Sequence, residues 1–256
     1  TIDEARQLIK NQFQNYKLST ETLPVEKVSG RYLSSDVLSK VTVPEFRRST
    51  RDGYAVRAED VSGASETLPA FLHLRGEVEM GEAASQNLES GEAVYVPTGG
   101  MIPEGADAVV MIEYSEKLTE DEVSLFRPAA VNQHIIQIGD DIQAGELVLK
   151  KGRKLGAADI GVLTSIGLTS VEVFRKPSVT VISTGDEIVG PGEEVRLGQV
   201  RDINTYTIAA SAEAMGCNVI ARAVVGDDEA MLTKTLEKAH AESDIVLLSG
   251  GSSVGV

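Results

Sequence analysis

With 256 residues, 42% of them hydrophobic, the chain is long enough for about two cored domains. Its 24 basic against 39 acidic residues leave a formal charge of −15, which excludes a general nucleic-acid or anionic-membrane surface and requires a local basic pocket for any polyanionic ligand. A single cysteine, Cys217, excludes an internal disulfide framework and fits a reducing, cytoplasmic setting; no apolar run approaches the roughly 20 residues of a membrane span, and the opening TIDEARQLIK does not read as a signal peptide.

Thr1 and Glu4 are spaced as a capping box, and Ile2, Ala5, Ile9 and Phe13 share one helical face, which predicts a packing helix over about residues 2–15. Residues 23–42 read as β, with Val25, Val28, Leu33, Val37 and Val41 set among polar residues until Pro44 breaks the pattern. In FRRSTRDGYAVR (46–57), Arg47, Arg48 and Arg51 cluster in an acidic chain, and Asp52-Gly53 is a turn pair leading into a strand at Tyr54–Val56. Two readings stay open there: a hairpin turn with solvated arginines, or a loop presenting one carboxylate beside anion-binding groups.

From residue 67 to 127 the pattern is β throughout. Strands are predicted at Leu68–Arg75, Ala93–Pro97, Ala108–Ile112 and Val123–Phe126, and a small barrel or sandwich of about 90 residues is the economical reading. Within it, Pro97-Thr98-Gly99-Gly100 is a turn with a hydroxyl at its head. The stretch GDDIQAGELVLKKG (139–152) then carries the adjacent carboxylates Asp140 and Asp141, either a solvated turn or part of a site. A helix over Gly156–Ile166, stopped by Gly167, is expected to pack with the first helix and close an outer domain into which the β module is inserted.

From Pro177 onward strands and helices alternate: Ser178–Ser183, a helix Asn204–Met215, Cys217–Val225, a helix Asp228–Ala241, and Asp244–Leu248. Alternation of this kind means right-handed crossovers and a parallel sheet. Ser183-Thr184-Gly185-Asp186-Glu187 and Ser249-Gly250-Gly251-Ser252-Ser253 therefore end two strands at one carboxyl edge, where open α/β sheets bind ligands. Small residues admit an anion to backbone N–H groups, and carboxylates beside them suggest a phosphate-bearing ligand with Mg²⁺ between. The competing reading is ordinary strand-to-helix turns with helix N-caps, Asn204 among them.

PEFRRSTRDGYAV, PTGGMIPEGADAVVMIE, GDDIQAGELVLKKG, STGDEI, DINT and SGGSSVG occur in the order found in molybdopterin molybdenumtransferases, the family of bacterial MoeA and the gephyrin E domain, and the chain resembles that family over essentially its whole length. The resemblance implies an elongated α+β outer domain (1–43 and 141–176), an inserted β-barrel-like module (44–140) and a partial doubly wound parallel α/β domain (177–256). It implies molybdenum cofactor biosynthesis: molybdate is inserted into adenylylated molybdopterin with release of AMP, assisted by Mg²⁺. It also implies a cytoplasmic homodimer whose cleft is shared between subunits, fed by a molybdopterin adenylyltransferase. Asp52, Thr98, Asp141 and Glu187 match catalytic positions, with Asp52, Asp186 and Glu187 matched to the metal. Ser183, Thr184, Gly185, Asp202, Asn204, Ser249, Gly250, Gly251, Ser252 and Ser253 match the pterin and nucleotide site.

The chain departs from the family pattern at Arg48, commonly Asn, and at Thr50 and Arg51. It departs again at His134–Ile138, where arginines are common, and at Gly100, where the family has alanine. It stops at Gly255-Val256, short of the acid that follows SVG in the family, so either a fragment of a longer protein or a cut-down version of the family fold is expected. Two other functions remain open: a non-catalytic molybdopterin-binding scaffold, and a different nucleotide-handling enzyme sharing only the α/β domain.

Overall fold

The computed structural model describes residues 1–14 and 16–250 and shows a mixed α and β chain that divides into two compact units, Thr1–Asp36 with Leu149–Val256, and Val37–Val148. The first unit opens with helix α1 (Ile2–Phe13), started by the predicted capping box: Glu4 N donates to Thr1 Oγ1 at 3.3 Å while the Glu4 carboxylate returns to the Thr1 amino group at 2.7 Å. No residue of α1 is buried, and Ile2, Leu8, Ile9 and Phe13 are each more than half exposed. The expected packing on the second helix is therefore not formed. Helical periodicity reports that one face is apolar; it carries no information about what covers that face. Strand β1 (Thr20–Pro24) follows.

The inserted unit runs through β2 (Val37–Leu38), β3 (Arg48–Ser49), β4 (Gly53–Val56), β5 (Ala70–Glu77), β6 (Glu92–Val96), β7 (Ala108–Met111), β8 (Ser115–Lys117), β9 (Glu122–Leu125) and β10 (Ile135–Ile136), with β11 (Leu147–Leu149) at its far boundary. One six-stranded sheet forms its centre, in the order β7-β4-β6-β5-β9-β8, antiparallel except for the β5/β6 pair. Its end strands β7 and β8 do not pair with each other among the described residues, which leaves the sheet open. Alternate side chains build a core on each face: Tyr54, Val56, Leu72 and Leu125 on one, Ala55, Val94, Val96 and Val109 on the other. That two-sided burial is why GYAV reads as continuously apolar.

In the first unit again, α2 (Ala157–Ser165) packs against the single turn Val25–Lys27, and β12 (Ser170–Phe174) pairs antiparallel with β1. The α/β layer then runs β13 (Ser178–Thr184), the short strands β14 (Ile188–Val189) and β15 (Val200–Arg201), α3 (Asn204–Ala214), β16 (Asn218–Val225), α4 (Glu229–Glu242) and β17 (Ile245–Ser249). The sheet order is β16-β13-β17, all parallel. Val179 and Val181 face Ala209 and Ala212 of α3, whereas Ile182 and Val225 face Ala239 and Leu236 of α4, so the helices cover opposite faces. Asp244 ties the amino ends of β13 and β17 together. Its carboxylate accepts from Ser178 N (2.7 Å), Ser178 Oγ (2.6 Å), Arg175 Nη2 (2.8 and 2.9 Å) and Tyr16 Oη (3.1 Å). Those donors, Ser178 foremost, hold its pKa well below the ordinary carboxylate range.

Candidate functional site

At the carboxyl edge of the parallel sheet, Ser183 of β13 and Ser249 of β17 stand opposite each other in register. Beyond them, Gly250 (φ +134°) lies so close to Thr184 that an added Cβ would fall 2.2 Å from Thr184 Oγ1, so the two loops touch backbone to side chain and position 250 admits only glycine. The Glu187 carboxylate folds back over Gly185, 2.5 Å from where a Cβ would stand. Asp186 turns instead to the end of the third strand, its Oδ1 accepting from Asp227 N at 2.9 Å. The β14/β15 ladder pairs Ile188 with Val200 and Val189 with Arg201, carrying the chain from the Gly-Asp-Glu turn to Asp202.

The expected N-cap at Asn204 is corrected: Asn204 is already the first helical residue of α3, and buried Asp202 takes the Thr205 N–H on its Oδ1 at 3.1 Å. The N-cap position falls to Ile203, and the Asn204 amide donates instead to Ser249 Oγ at 2.9 Å, joining α3 to the end of β17. Ser183 Oγ and Thr205 Oγ1 are fully buried and make no hydrogen bond among the described residues. Ser183, Thr184, Gly185, Asp186, Glu187, Asp202, Asn204, Ser249 and Gly250 thus gather at one sheet edge, while Gly251, Ser252 and Ser253 lie outside the described residues. Sequence reasoning passed over Thr205 and Gly226-Asp227. The signal was present, since Gly226-Asp227 follows a third parallel strand and so falls on the same edge.

The inserted unit holds the second group. Asp52 Oδ1 accepts from Thr98 N at 2.7 Å, Gly99 N donates to Ser49 O at 2.7 Å and Ser49 N to Gly100 O at 3.0 Å, which fastens the 97–100 turn onto the Asp52 loop. Thr98 and Asp52 are both exposed. An alanine at 100 would put its Cβ 2.9 Å from Pro97 O, so the turn as built holds glycine where the family has alanine. Gly53 is tighter still, a Cβ there meeting Val110 O at 2.1 Å.

The three arginines do different things. Arg47 is used internally, donating to Ala106 O (2.9 Å) and Pro103 O (3.2 Å). Arg48 reaches Asp141 Oδ2 at 3.5 Å and stands opposite Ile136 in the β3/β10 pairing. A cation is thus supplied from the strand facing the arginine-free segment His134–Ile138. The Arg51 side chain is exposed and makes no hydrogen bond or ion pair among the described residues.

Among the described residues no group of three or more His, Cys, Asp and Glu is placed to hold a metal ion. Asp186 and Glu187, adjacent in sequence, carry oxygen donors of the type Mg²⁺ takes, although here they turn to different partners, Asp227 N and Gly185. No helix among the described residues is long and apolar enough to cross a membrane.

A parallel α/β layer whose carboxyl edge carries small residues and carboxylates belongs to the class of open α/β folds, in which ligands bind at that edge. The family model described as the MoeA N-terminal region (domain I and II) matches residues 1–167, and that of a probable molybdopterin binding domain matches residues 180–256. The chain belongs to the MoeA family. Molybdopterin molybdenumtransferase of Haemophilus influenzae is 34% identical over 255 residues, covering all of this chain and 62% of its own length; molybdopterin molybdenumtransferase 2 of Mycobacterium tuberculosis is 35% identical over 234 residues, 91% and 58%. Two crystal structures of the molybdopterin biosynthesis MoeA protein of Pyrococcus horikoshii superpose with TM-scores of 0.83 and 0.85 at 40% and 37% identity, covering 96% and 92% of this chain. The chain spans about three fifths of the length of these relatives.

Proposed function

We propose that the chain carries the substrate-binding parts of a molybdopterin molybdenumtransferase, which inserts molybdate into adenylylated molybdopterin and releases AMP. The observation that carries this reading is the paired edge at Ser183/Ser249, where Gly250 closes on Thr184 and Asn204 holds Ser249. Backbone N–H groups and small hydroxyls there suit phosphate oxygens, and Asp202 fixes the start of α3, whose N-terminus favours negative charge. When bound, Mg²⁺ spreads the charge that develops as the pyrophosphate P–O bond breaks. Asp186 and Glu187 are the residues that would hold it. Asp52, fixed by the Thr98 N–H, and Asp141 orient molybdate or water by hydrogen bonding. The new P–O bond comes from a molybdate or water oxygen and AMP leaves as the anion, so no protein nucleophile is required. The β module acts as part of an inserted domain, and the cleft is completed by a second copy in a cytoplasmic homodimer supplied by a molybdopterin adenylyltransferase.

One observation favours a scaffold instead: Arg48 occupies the Asp141 carboxylate, one of the acids assigned to the reaction. A single experiment separates the two. The chain, or a longer protein that contains it, is incubated with adenylylated molybdopterin, molybdate and Mg²⁺. Molybdate-dependent AMP release, abolished by Glu187→Gln, is the result expected of the transferase. Tight binding without AMP assigns the scaffold, and neither binding nor AMP overturns both.

A further inference from the structure

A cavity of about 290 Å³ lies at the opposite, amino edge of the same parallel sheet, where Lys176-Pro177 leads into β13 and Gly216-Cys217 into β16. It is separate from the Ser249-Gly250 edge because parallel strands run between the two. Leu18, Tyr32, Phe174, Pro177, Met215 and Cys217 give it a mainly apolar wall. Gly30, Gly152 and Gly216 also line it, all at positive φ (+75°, +81° and +95°), and an added Cβ at any of them would meet no atom within 4 Å. Open volume, rather than crowding, adjoins these three glycines.

Charge at its rim runs against the −15 of the chain. Gly152 sits inside Lys150-Lys151-Gly152-Arg153-Lys154, and Arg31, Arg175 and Lys176 join it at the cavity. Three of these cations are already matched by carboxylates: Arg31 by Glu21, Arg175 by Asp244 and Arg153 by Asp159. Lys151, Lys154 and Lys176 form no ion pair among the described residues. Two of them lie over the aromatic walls, Lys151 Nζ 5.7 Å from the centre of the Phe174 ring and Lys154 Nζ 5.9 Å from that of Tyr32. The walls are therefore mainly apolar, and Lys176 brings to the lining a positive charge that no carboxylate matches among the described residues. The volume is at the small end for ligand pockets and suits one or two fused rings.

We infer that this cavity is a second binding site, which takes a small planar organic anion: an aromatic ring system with its ring among Phe174, Tyr32 and Met215 and its carboxylate facing Lys176 of the lining, with the Lys154 ammonium over the Tyr32 ring adding to the positive field.

Cys217 is the only cysteine of the chain and lines the cavity, so its alkylation reads occupancy without ambiguity. The probe is 2-naphthoate, with uncharged 2-naphthamide as control, and the rate measured is modification of Cys217 by N-ethylmaleimide. Saturating 2-naphthoate is expected to slow that rate about tenfold, with 2-naphthamide needing about tenfold more ligand for the same protection, as one charge-assisted contact provides. The double variant Lys154→Gln/Lys176→Gln removes the charge of Lys176 in the lining and of Lys154 over Tyr32 and leaves the apolar wall in place; it should weaken 2-naphthoate about tenfold and leave 2-naphthamide unchanged. No protection by 2-naphthoate up to its solubility limit overturns the site. Equal protection by acid and amide, unmoved in the double variant, overturns the anion.

Discussion

The Asn204 side-chain amide lies 2.9 Å from Ser249 Oγ, so the first turn of α3 holds the last residue of β17 at the sheet edge where the substrate phosphate is assigned. Both partners are at the surface, and the net worth of such a bond is about 1 kcal/mol. Asn204→Ala should therefore barely move the melting temperature. Its effect belongs on binding: AMP affinity, followed by calorimetry, should fall about tenfold if the loop must be pre-arranged to receive phosphate. Unchanged affinity would make the contact a surface bond only.

Asp52 separates charge from geometry. Its Oδ1 accepts the Thr98 N–H, and Asp52→Asn keeps an amide oxygen to do the same. The Asn variant should melt like the parent, whereas Asp52→Ala should lose about 0.5–1 kcal/mol, the net worth of one bond between exposed groups that water can replace. Molybdate-dependent AMP release should be lost in both. Recovery of release in the Asn variant alone would reduce Asp52 to an anchor for the turn.

Which of these features could be read from residues alone follows from how local each one is. The apolar runs of β13 and β17 announce strands, and their alternation with α3 and α4 dictates the parallel order found; only β13 is buried on both faces, because β17 is an edge strand of the described sheet and leaves Leu248 half exposed. The loops ending those strands then fall together with no long-range guess. The α1 face gives no such purchase, because periodicity marks the apolar stripe of Ile2, Ile9 and Phe13 but not its cover. Asn204 failed as a cap for a different reason. Asp202 and Asn204 are both good capping types two residues apart, yet the cap position falls on Ile203 between them; the β14/β15 ladder, a tertiary pairing, sets where Asp202 arrives to take the Thr205 N–H. Arg47 shows the same limit: three arginines look alike in sequence, and only the carbonyls of Pro103 and Ala106 tell one from the others.

Gly53 tests the inserted sheet. With Val110 O 2.1 Å from the position a Cβ would take, Gly53→Ala must push the end strand β7 away from β4. Overpacking against backbone has no flexible neighbour to relieve it, and a loss of about 3 kcal/mol or more is expected. Chemical denaturation checks this. A loss below about 0.5 kcal/mol, the scale of neutral surface changes, would contradict the strand spacing.

Asp244 makes a stability contribution with a definite pH window. Its pKa is lowered in the folded state, first by Ser178 Oγ and N and then by Arg175 and Tyr16. A lowered carboxylate pKa means stabilisation that is complete above the unfolded value of about 3.9 and disappears as pH falls through the folded value. Asp244→Asn should cost about 1–2 kcal/mol at pH 7, discounted for the solvent reaching Arg175. The difference between variant and parent should stay constant down to about pH 4 and shrink below it. A gap that instead widens on acidification would reverse the assigned sign.

The arginines of the Asp52 loop give the last test, because the structure assigns them unequal parts. Arg47→Ala leaves two carbonyls without their donor and should cost about 1–3 kcal/mol with no specific effect on substrate. Arg51 is exposed, so Arg51→Ala should change stability by less than about 0.5 kcal/mol. An anion-steering role would appear instead as a raised KM for adenylylated molybdopterin, at unchanged kcat, that shrinks as salt screens the loop. Arg48→Ala frees the Asp141 carboxylate. If Asp141 works in the reaction and Arg48 restrains it, kcat should rise; if Arg48 supplies the cation opposite Ile136, KM should rise. Unchanged kinetics in both Arg48→Ala and Arg51→Ala would leave the loop as a turn with solvated arginines and remove it from the substrate site.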